Sequence, residues 1–369
     1  MRCITIEKKI PKYIQLKETL LGLIESGAIR PGDQMPSENE IADRFDMSRQ
    51  TVRQTLGLLE QEGRLYRLQG KGTFVSEQSP AAKTHEVQTV GILTTYISDY
   101  IFPHIVRGAE SAVREKGYRL MLSSTDNDKA REREALEMML SEPLSGLIIE
   151  PTRSAEGNPN VSLYLSLSYQ NIPFIMINQR YPEITCPYLM VDDEDGGFQA
   201  ADHLLSLGHQ RIAGFFKTDD LQGVNRLKGF IKAHQERSCP LSPDMVIHYK
   251  TDEKWTRPYE IAMQLLASGS ARPTAFVCYN DELAVHLLEA ARQSGLSVPD
   301  DLSIIGFDDS SLATATEVKL TTLSHPKMQM GVDAAQILID MIEGRSPASA
   351  EFCKLYKPEL IVRNSTKKL

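Results

Sequence analysis

Polar side chains that could read nucleic acid lie on one face of a predicted helix early in the chain. In the stretch SRQTVRQTLGLLEQEG, which begins at Ser48, the apolar residues Val52, Leu56 and Leu59 recur at helical spacing and must face a core. The side chains outside that stripe are those of Arg49, Gln50, Arg53 and Gln54. An arginine fork matches a phosphate or the O6 and N7 atoms of guanine, and glutamine can pair with adenine. Ser48 could offer its hydroxyl and N–H groups to a phosphate. The alternative is an ordinary solvated helix face.

A basic turn follows this helix in the stretch LQGKGTFV. Its tip consists of Gln69, Gly70, Lys71 and Gly72. Glycine allows the backbone to approach closely, and lysine supplies positive charge for phosphates, as a wing tip in a minor groove requires. The turn and the helix face together favour nucleic-acid contact over a solvated face.

A second set of polar residues follows apolar runs later in the chain. These residues are Glu150, Asn178, Asn280, Asp308 and His325, and Arg226 lies in the turn GVNRLKGF. Sugar hydroxyls donate and accept hydrogen bonds, so a sugar site needs carboxylates, amides and an arginine, with an aromatic face against the C–H side of the ring. Tyr96 and Phe102 could supply that face. The residues alone predict a small polyol or sugar as the ligand.

Several of these polar residues have a plainer interpretation. An acidic residue at a strand-to-helix junction is often a helix N-cap, and we expect that role for Asp192 and Asp281. Arg226 could be a solvated charge at a helix start. His203 and His209 lack the spacing of metal ligands, so we expect them to be ordinary surface or core histidines.

The elements that must position the first set have the order of a winged helix. Ser37 opens the second of three helices, and Glu40, three residues later, completes a capping box. Ser48 caps the next helix, and RLYRLQGKGTFV predicts two short strands around a glycine turn. We assign residues 1–75 to an α+β winged helix-turn-helix DNA-binding domain and the polar stretch 76–88 to a linker.

Residues 89–369 show a different pattern. Buried-strand runs such as TVGILTTY, GLIIEP, PFIMIN and LSIIGFDD alternate with amphipathic helices. This alternation predicts an α/β domain with a parallel sheet. Ligands of open α/β sheets bind beyond the carboxyl ends of the strands, which is where the second set of polar residues lies.

Composition limits the class of protein. The 369 residues suffice for two or three domains, and the formal net charge is −8. Residues 1–75 hold 12 basic and 10 acidic residues, whereas the remainder holds 29 and 39. Five scattered cysteines without a CxxC pair argue against a disulfide framework or a zinc site. We see no secretory leader, membrane span, nucleophile–base pair, Walker loop or GxGxxG motif, and expect a cytoplasmic protein that is not an enzyme and needs no cofactor or metal.

The first 75 residues resemble a known class of DNA-binding domain. The frame PGDQMPSENEIADRF, SRQTVRQ, LEQEG and GKGTFV is similar to the GntR-type winged helix-turn-helix. The resemblance implies contacts with DNA from the recognition helix, from the helix before it and from the wing. The residues that it implies are Ser48, Arg49, Gln50, Thr51, Arg53, Glu38, Gln69, Gly70 and Lys71, with Lys12 reaching a phosphate from the first helix.

The rest of the chain resembles the effector module of the LacI/GalR repressors, a two-lobed periplasmic-binding-protein-like (type I) fold. The stretches DDEDGGFQAADHLLSLGHQRIAGF, CYNDELAVHLLEAARQSGLSVPDDLSIIGFDDS and LTTLSHPKMQMG carry the similarity. The resemblance places sugar contacts on Arg226, Asn280 and Asp308, and further ones on Asn178, His325 and Glu150. Asn178 stands where many members of that family have Asp, which changes the polarity of the contact. Residues 89–369 would thus form a two-lobed domain for effector binding and dimerisation.

A GntR-type head on a LacI/GalR-type body, together with GILTTYISDYIFP and DDLQGVNRLKGFI, resembles the AraR-type arabinose repressors over essentially the whole chain. The resemblance implies a homodimer that binds pseudo-palindromic, double-stranded operator DNA and is released by L-arabinose. We therefore expect a cytoplasmic, sugar-responsive transcriptional repressor that has no membrane partner. The alternatives are a transport-type sugar-binding protein, a sugar-processing enzyme, and a regulator whose effector is another pentose, a purine or a phosphorylated sugar.

Overall fold

The structure is a computed structural model that describes residues 12–61, 63–68, 71–76, 88–98, 100–345 and 352–369. The chain separates into two compact units that divide between Glu86 and Val87. Most of the predicted linker, residues 77–87, lies outside the described residues, so its bounds at 76 and 88 stay predictions.

The first unit has the predicted order of a winged helix-turn-helix. Its elements are α1 (Lys12–Glu25), α2 (Glu38–Phe45), α3 (Arg49–Gln61), β1 (Leu65–Leu68) and β2 (Gly72–Val75). The two strands form an antiparallel hairpin. Its core is formed by Leu16, Leu20, Ile41, Val52, Leu56 and Leu59, all at most 2% exposed.

The predicted caps of the first unit are present. The Ser37 hydroxyl accepts a hydrogen bond from the Glu40 N–H at 3.3 Å, and the Glu40 carboxylate accepts one from the Ser37 N–H at 2.7 Å. This capping box fixes the start of α2. The Ser48 hydroxyl accepts from the Thr51 N–H at 3.2 Å and thereby caps α3.

The second unit consists of two α/β lobes. Its elements up to the first change of lobe are β3 (Thr89–Thr94), α4 (Phe102–Glu115), β4 (Arg119–Ser124), α5 (Lys129–Leu140), β5 (Gly146–Ile149), α6 (Val161–Tyr169), β6 (Phe174–Asn178) and β7 (Tyr188–Val191). The next part comprises α7 (Asp193–Ser206), β8 (Ile212–Lys217), α8 (Leu221–Glu236), β9 (Val246–Tyr249), α9 (Arg257–Leu266), β10 (Ala275–Cys278), α10 (Asp281–Gln293), β11 (Ser303–Ile305), α11 (Leu312–Ala315) and β12 (Thr322–Leu323). The last elements are α12 (Lys327–Ile342), β13 (Cys353–Tyr356) and β14 (Leu360–Ile361).

Each lobe is built on a parallel sheet. Lobe 1 has the strand order β13-β7-β6-β5-β3-β4, and lobe 2 has the order β11-β10-β8-β9. The chain crosses between the lobes after β7, β12 and β13, because α12 and β13 return to lobe 1 and β14 pairs with β12. Three crossings of this kind confirm the predicted periplasmic-binding-protein-like fold.

Helices cover both faces of the lobe 1 sheet because its strands are apolar on both sides. Ile148 packs in a cluster with α4 and α12, while its neighbours Leu147 and Ile149 pack with α5 and α6. Helices α4 and α12 approach closely through two glycines. A Cβ atom on Gly108 would lie 2.2 Å from the Met328 carbonyl oxygen, and one on Gly331 would lie 2.0 Å from that of Ile105.

None of the helices in the described residues has the length and apolar character needed to cross a bilayer.

Candidate functional site

The polar face of α3 is exposed, as its sequence predicts. Arg49, Gln50 and Arg53 are exposed and Thr51 is half-buried, on the side opposite the apolar residues of the core. The Ser48 hydroxyl lies 2.8 Å from that of Thr51. A short row of hydrogen-bonding groups therefore begins at the N-terminus of α3 and continues along its first turns.

Two of the predicted contact residues are joined by an ion pair. Arg53 donates from Nη2 and Nε to the carboxylate of Glu38, at 2.9 and 3.2 Å. Hydrogen bonding from Arg53, with help from the Arg67 charge, lowers the pKa of Glu38. Sequence reasoning missed Arg67, which lies on β1 and reaches Glu38 at 3.5 Å and Glu60 at 3.1 Å.

The tip of the wing is only partly described. Gln69 and Gly70 lie outside the described residues, while Lys71 is exposed and its N–H closes the turn on the Leu68 carbonyl at 3.0 Å. Gly72 has φ +116°, a backbone conformation that residues with a side chain rarely adopt, so this position favours glycine.

Lys12, predicted to reach a phosphate, is exposed and is the first residue of α1.

A cavity of about 900 Å³, including its open mouth, lies at the carboxyl ends of strands from both lobes. Lobe 1 lines it with Thr95, Tyr96, Tyr100, Ile101, Phe102, Asn127, Glu150 and Pro151. Lobe 2 lines it with Lys217, Asp220, Gln222, Arg226, Tyr249, Lys254, Trp255, Tyr279, Asn280, Glu282, Leu283 and Asp308.

The structure brings six of the eight predicted ligand-binding residues together in this wall. They are Tyr96, Phe102, Glu150, Arg226, Asn280 and Asp308. Tyr96 and Phe102 form an aromatic pair with ring centroids 5.6 Å apart. An aromatic face thus stands beside carboxylates, an amide and a guanidinium, which is the combination that a sugar site needs.

Asn178 and His325 do not line the cavity: Asn178 contacts Glu150, and His325 contacts Asn178. The Asn178 amide donates to Glu150 Oε1 at 2.7 Å, and His325 Nε2 lies 3.1 Å from the Asn178 oxygen. Thr95 donates to the other oxygen of Glu150 from both its N–H and its hydroxyl group. Burial raises the pKa of Glu150 and lowers that of His325 to about 4. The two residues therefore orient Glu150 in this structure.

Arg226 is the centre of a buried network. It is 2% exposed and donates to Asp193 at 2.8 Å, to the Tyr279 carbonyl at 2.6 Å and to Asp308 at 3.5 Å. Tyr100, which belongs to lobe 1, donates to the other oxygen of Asp308 at 2.7 Å. A solvated charge at a helix start is therefore the wrong interpretation of Arg226. Sequence reasoning missed Asp193 and Tyr100, because their roles depend on contacts between distant segments.

Among the described residues, each cation of the cavity wall is paired with an acid of the protein. Lys217 lies 3.0 Å from Asp220, Lys254 lies 3.4 Å from Glu282, and Arg226 has the two carboxylates already described. An anionic ligand would have to displace one of these carboxylates. The pairing favours an uncharged ligand rich in hydroxyl groups.

The mouth of the cavity carries a further aromatic group. The Lys254 ammonium lies 5.2 Å from the Tyr96 ring centroid and 4.6 Å from that of Trp255. Trp255 and Lys254 were not predicted from the sequence, because they follow a short turn and not a strand end.

The helix caps beside the cavity differ in one position from the prediction. Asp192 caps α7, as expected, by accepting from the Asp195 N–H at 3.0 Å. The cap of α10 is Asn280, which accepts from the Leu283 N–H at 2.9 Å, so the prediction for Asp281 is wrong. Asp281 instead accepts hydrogen bonds from Ser310 and Thr322 in the interior of lobe 2.

His209 is buried, at 3% exposed, and His203 is half-buried, as expected for ordinary surface or core histidines. His209 hydrogen-bonds Thr274 and the Lys367 carbonyl, and His203 lies 3.2 Å from the Thr366 hydroxyl. Within the described residues there is no group of three or more His, Cys, Asp or Glu side chains that could hold a metal ion.

Two family models match the chain. The first, described as bacterial regulatory proteins of the gntR family, matches residues 12–75. The second, described as a periplasmic binding protein-like domain, matches residues 201–366.

Curated proteins and solved structures that are similar to the chain are also transcriptional regulators. The chain is 61% identical to an arabinose metabolism transcriptional repressor from Geobacillus stearothermophilus, over 98% of this chain and 100% of that one. It is 45% identical to a protein of the same name from Halalkalibacterium halodurans, over 96% of each chain. A LacI family transcriptional regulator from Enterococcus faecium, solved with bound ribose, is 29% identical with a TM-score of 0.64, over 76% of this chain and all of that one.

Proposed function

Because the chain belongs to the family of arabinose metabolism transcriptional repressors, we propose that it binds operator DNA as a homodimer and releases it when L-arabinose occupies the cavity. The family membership makes the protein a sugar-responsive transcriptional repressor and not an enzyme. The proposal covers four further points, namely operator binding, the homodimer, a cytoplasmic site of action and the identity of the sugar.

The observation that carries the choice of effector is the charge balance of the cavity. The three cations that the described part of the wall contains, Lys217, Lys254 and Arg226, are all engaged by carboxylates of the protein. A phosphorylated sugar would take those cations from their carboxylates and leave buried carboxylates without partners, which costs free energy. A neutral pentose instead offers hydroxyls that donate to Glu150 and Asp308 and accept from the cationic groups. This balance supports arabinose over a phosphorylated sugar.

The first unit supplies the DNA-binding surface in this proposal. The exposed arginines and glutamine of α3 would enter the major groove, and Lys71 on the wing would meet the backbone or the minor groove. Two heads related by a dimer axis would read a pseudo-palindromic site. Ser48 and Lys12 would bind phosphates and so position the head without reading sequence.

In this proposal, the two lobes couple sugar binding to operator binding. Side chains of lobe 1 and lobe 2 meet directly: Asn127, which lines the cavity, donates to Thr251 at 2.7 Å, Arg153 donates to Asp252 at 2.8 Å, and Lys250 donates to Glu156 at 2.9 Å. Sugar that binds both walls would favour this closed arrangement. A change in the spacing of the lobes would then alter how the dimer presents its heads.

The test measures operator affinity against a panel of effectors. The probe is a duplex that the full-length protein selects from random-sequence DNA, and its binding is followed by fluorescence anisotropy at one salt concentration. We expect L-arabinose to release the duplex, and D-ribose, D-xylose and arabinose 5-phosphate to do so more weakly or not at all. If only the phosphorylated sugar released the duplex, the proposal that L-arabinose is the effector would be wrong. If one chain bound each operator, the proposal of a homodimer would be wrong.

A further inference from the structure

Glu38 connects two arginine side chains on the face that carries the proposed DNA contacts. It is the first residue of α2, and its side chain is 24% exposed. Its carboxylate accepts from Arg53 of α3 and from Arg67 of β1. One acid therefore connects the helix that would enter the major groove with the first strand of the wing.

The geometry of the Arg53 pair determines which side of the guanidinium group is available. A guanidinium group presents two edges that can each donate two parallel hydrogen bonds, Nε–Nη2 and Nη1–Nη2. Arg53 uses Nε and Nη2 for Glu38, at 3.2 and 2.9 Å. Its Nη1–Nη2 edge is directed away from the carboxylate. That edge matches the O6 and N7 acceptors of guanine.

A carboxylate on this surface is an unfavourable neighbour of DNA on its own. Duplex DNA carries one negative charge per about 1.7 Å of helix axis. Glu38 is tolerable there because both of its oxygens are engaged by arginines. We propose that Glu38 does not contact DNA but holds Arg53 in the orientation that reads one guanine, and so sets operator specificity. The inference rests on the proposed function of the first unit.

The proposal predicts two effects of opposite sign when the Glu38 charge is removed. Losing one negative charge should tighten binding to any duplex and make its salt dependence steeper by about one in the slope. Losing the orientation of Arg53 should weaken the choice between operator and other DNA. Folding should hardly change, because Arg53 is 72% exposed and exposed ion pairs contribute little to stability.

The experiment compares Glu38→Gln with Glu60→Gln in the full-length protein. Glu60 is a matched control because it carries the same charge in the same unit and pairs with Arg67, but is not a partner of Arg53. The affinity of each protein is measured for the selected duplex and for versions in which each G·C pair is replaced by A·T. We expect Glu38→Gln to lose about tenfold discrimination at one G·C pair. Glu60→Gln should keep that discrimination.

A double-mutant cycle with Arg53→Ala separates positioning from direct contact. If Glu38 acts through Arg53, both variants lose discrimination at the same base pair, and Glu38→Gln changes nothing further there in the Arg53→Ala background. An effect of Glu38→Gln that persists in that background would overturn the proposal. Equal discrimination by Glu38→Gln and Glu60→Gln would overturn it too. A wild-type protein that prefers no duplex would overturn the proposed function, and this inference with it.

Discussion

At the residue scale, Asp308 shows how a buried carboxylate of the cavity wall is held by donors from both lobes. One of its oxygens accepts from Arg226 at 3.5 Å and the other from the Tyr100 hydroxyl at 2.7 Å. The residue is 3% exposed, so its hydrogen bonds are made in a site with little water. A carboxylate in this position can still accept from a sugar hydroxyl, because each oxygen has two lone pairs.

Changing Asp308 to Asn should impair the sugar site without affecting the DNA-binding surface. Asp308→Asn replaces an acceptor oxygen by a donating amide, so one of the present donors loses its partner. We expect L-arabinose binding to weaken roughly 10- to 150-fold, with sugar-free operator binding unchanged. Isothermal titration and operator anisotropy measure the two quantities.

Asp309→Asn is the matched control, since Asp309 pairs with Arg363 at 2.6 Å and is absent from the residues that line the cavity. Equal weakening of sugar binding in both variants would contradict the assignment of Asp308.

Polar strand endings located part of the cavity wall from the sequence, but they did not show which of these residues reach the cavity. Glu150 and Asn178 both follow apolar runs, yet only Glu150 lines the cavity, because Asn178 is turned behind it by contacts with His325. Lys217 ends an apolar run and gives no signal of its own until Asp220 is seen beside it. Asn280 and Asp281 are adjacent and can both cap a helix, so the sequence alone could not decide between them.

At the scale of elements, the packing of α4 against α12 helps to position the cavity wall. The first of these helices begins at Phe102 in the cavity wall, and the second begins just after the crossing segment that contains His325. Their contact joins a wall of the cavity to the segment that links the lobes. The element order of both units followed from the sequence pattern. The return of α12 and β13 to lobe 1 did not, because long-range packing decides which sheet a late strand joins.

Gly331→Ala should weaken lobe 1 at this contact. The added Cβ would lie 2.0 Å from the Ile105 carbonyl oxygen, so the helices must separate. We expect the free energy of unfolding to fall by about 1–3 kcal/mol, as for other overpacked sites. Denaturant unfolding measures the change. Gly157→Ala, in the same lobe and with no atom within 4 Å of its Cβ, is the control. The interpretation fails if both variants are equally stable.

At the scale of the whole molecule, the proposed function requires that sugar binding by the second unit and operator binding by the first be thermodynamically coupled. Sugar that weakens operator binding by some factor requires that operator weaken sugar binding by the same factor. This equality follows from thermodynamics alone and does not depend on how the two units contact each other.

This reciprocity gives a prediction for titrations of the complete protein. We expect L-arabinose to bind the operator complex more weakly than the free protein, by the factor with which arabinose weakens operator binding. A fragment of residues 87–369, one of the two compact units, should bind arabinose like the free protein and ignore added operator. Calorimetric titration measures all three affinities. Unequal factors in the two directions would contradict a coupled equilibrium.

The return of β13 to the edge of lobe 1 has a consequence for biosynthesis. Its partner strand β7 ends at Val191, whereas β13 begins at Cys353. At typical elongation rates of about 5–20 residues per second, a ribosome needs roughly 10–30 s to make the intervening chain. Throughout that interval the nascent lobe 1 lacks its edge strand, and for most of it also helix α12 (Lys327–Ile342), whereas the first unit is already complete. The newborn protein thus acquires its DNA-binding surface well before the domain that would regulate it.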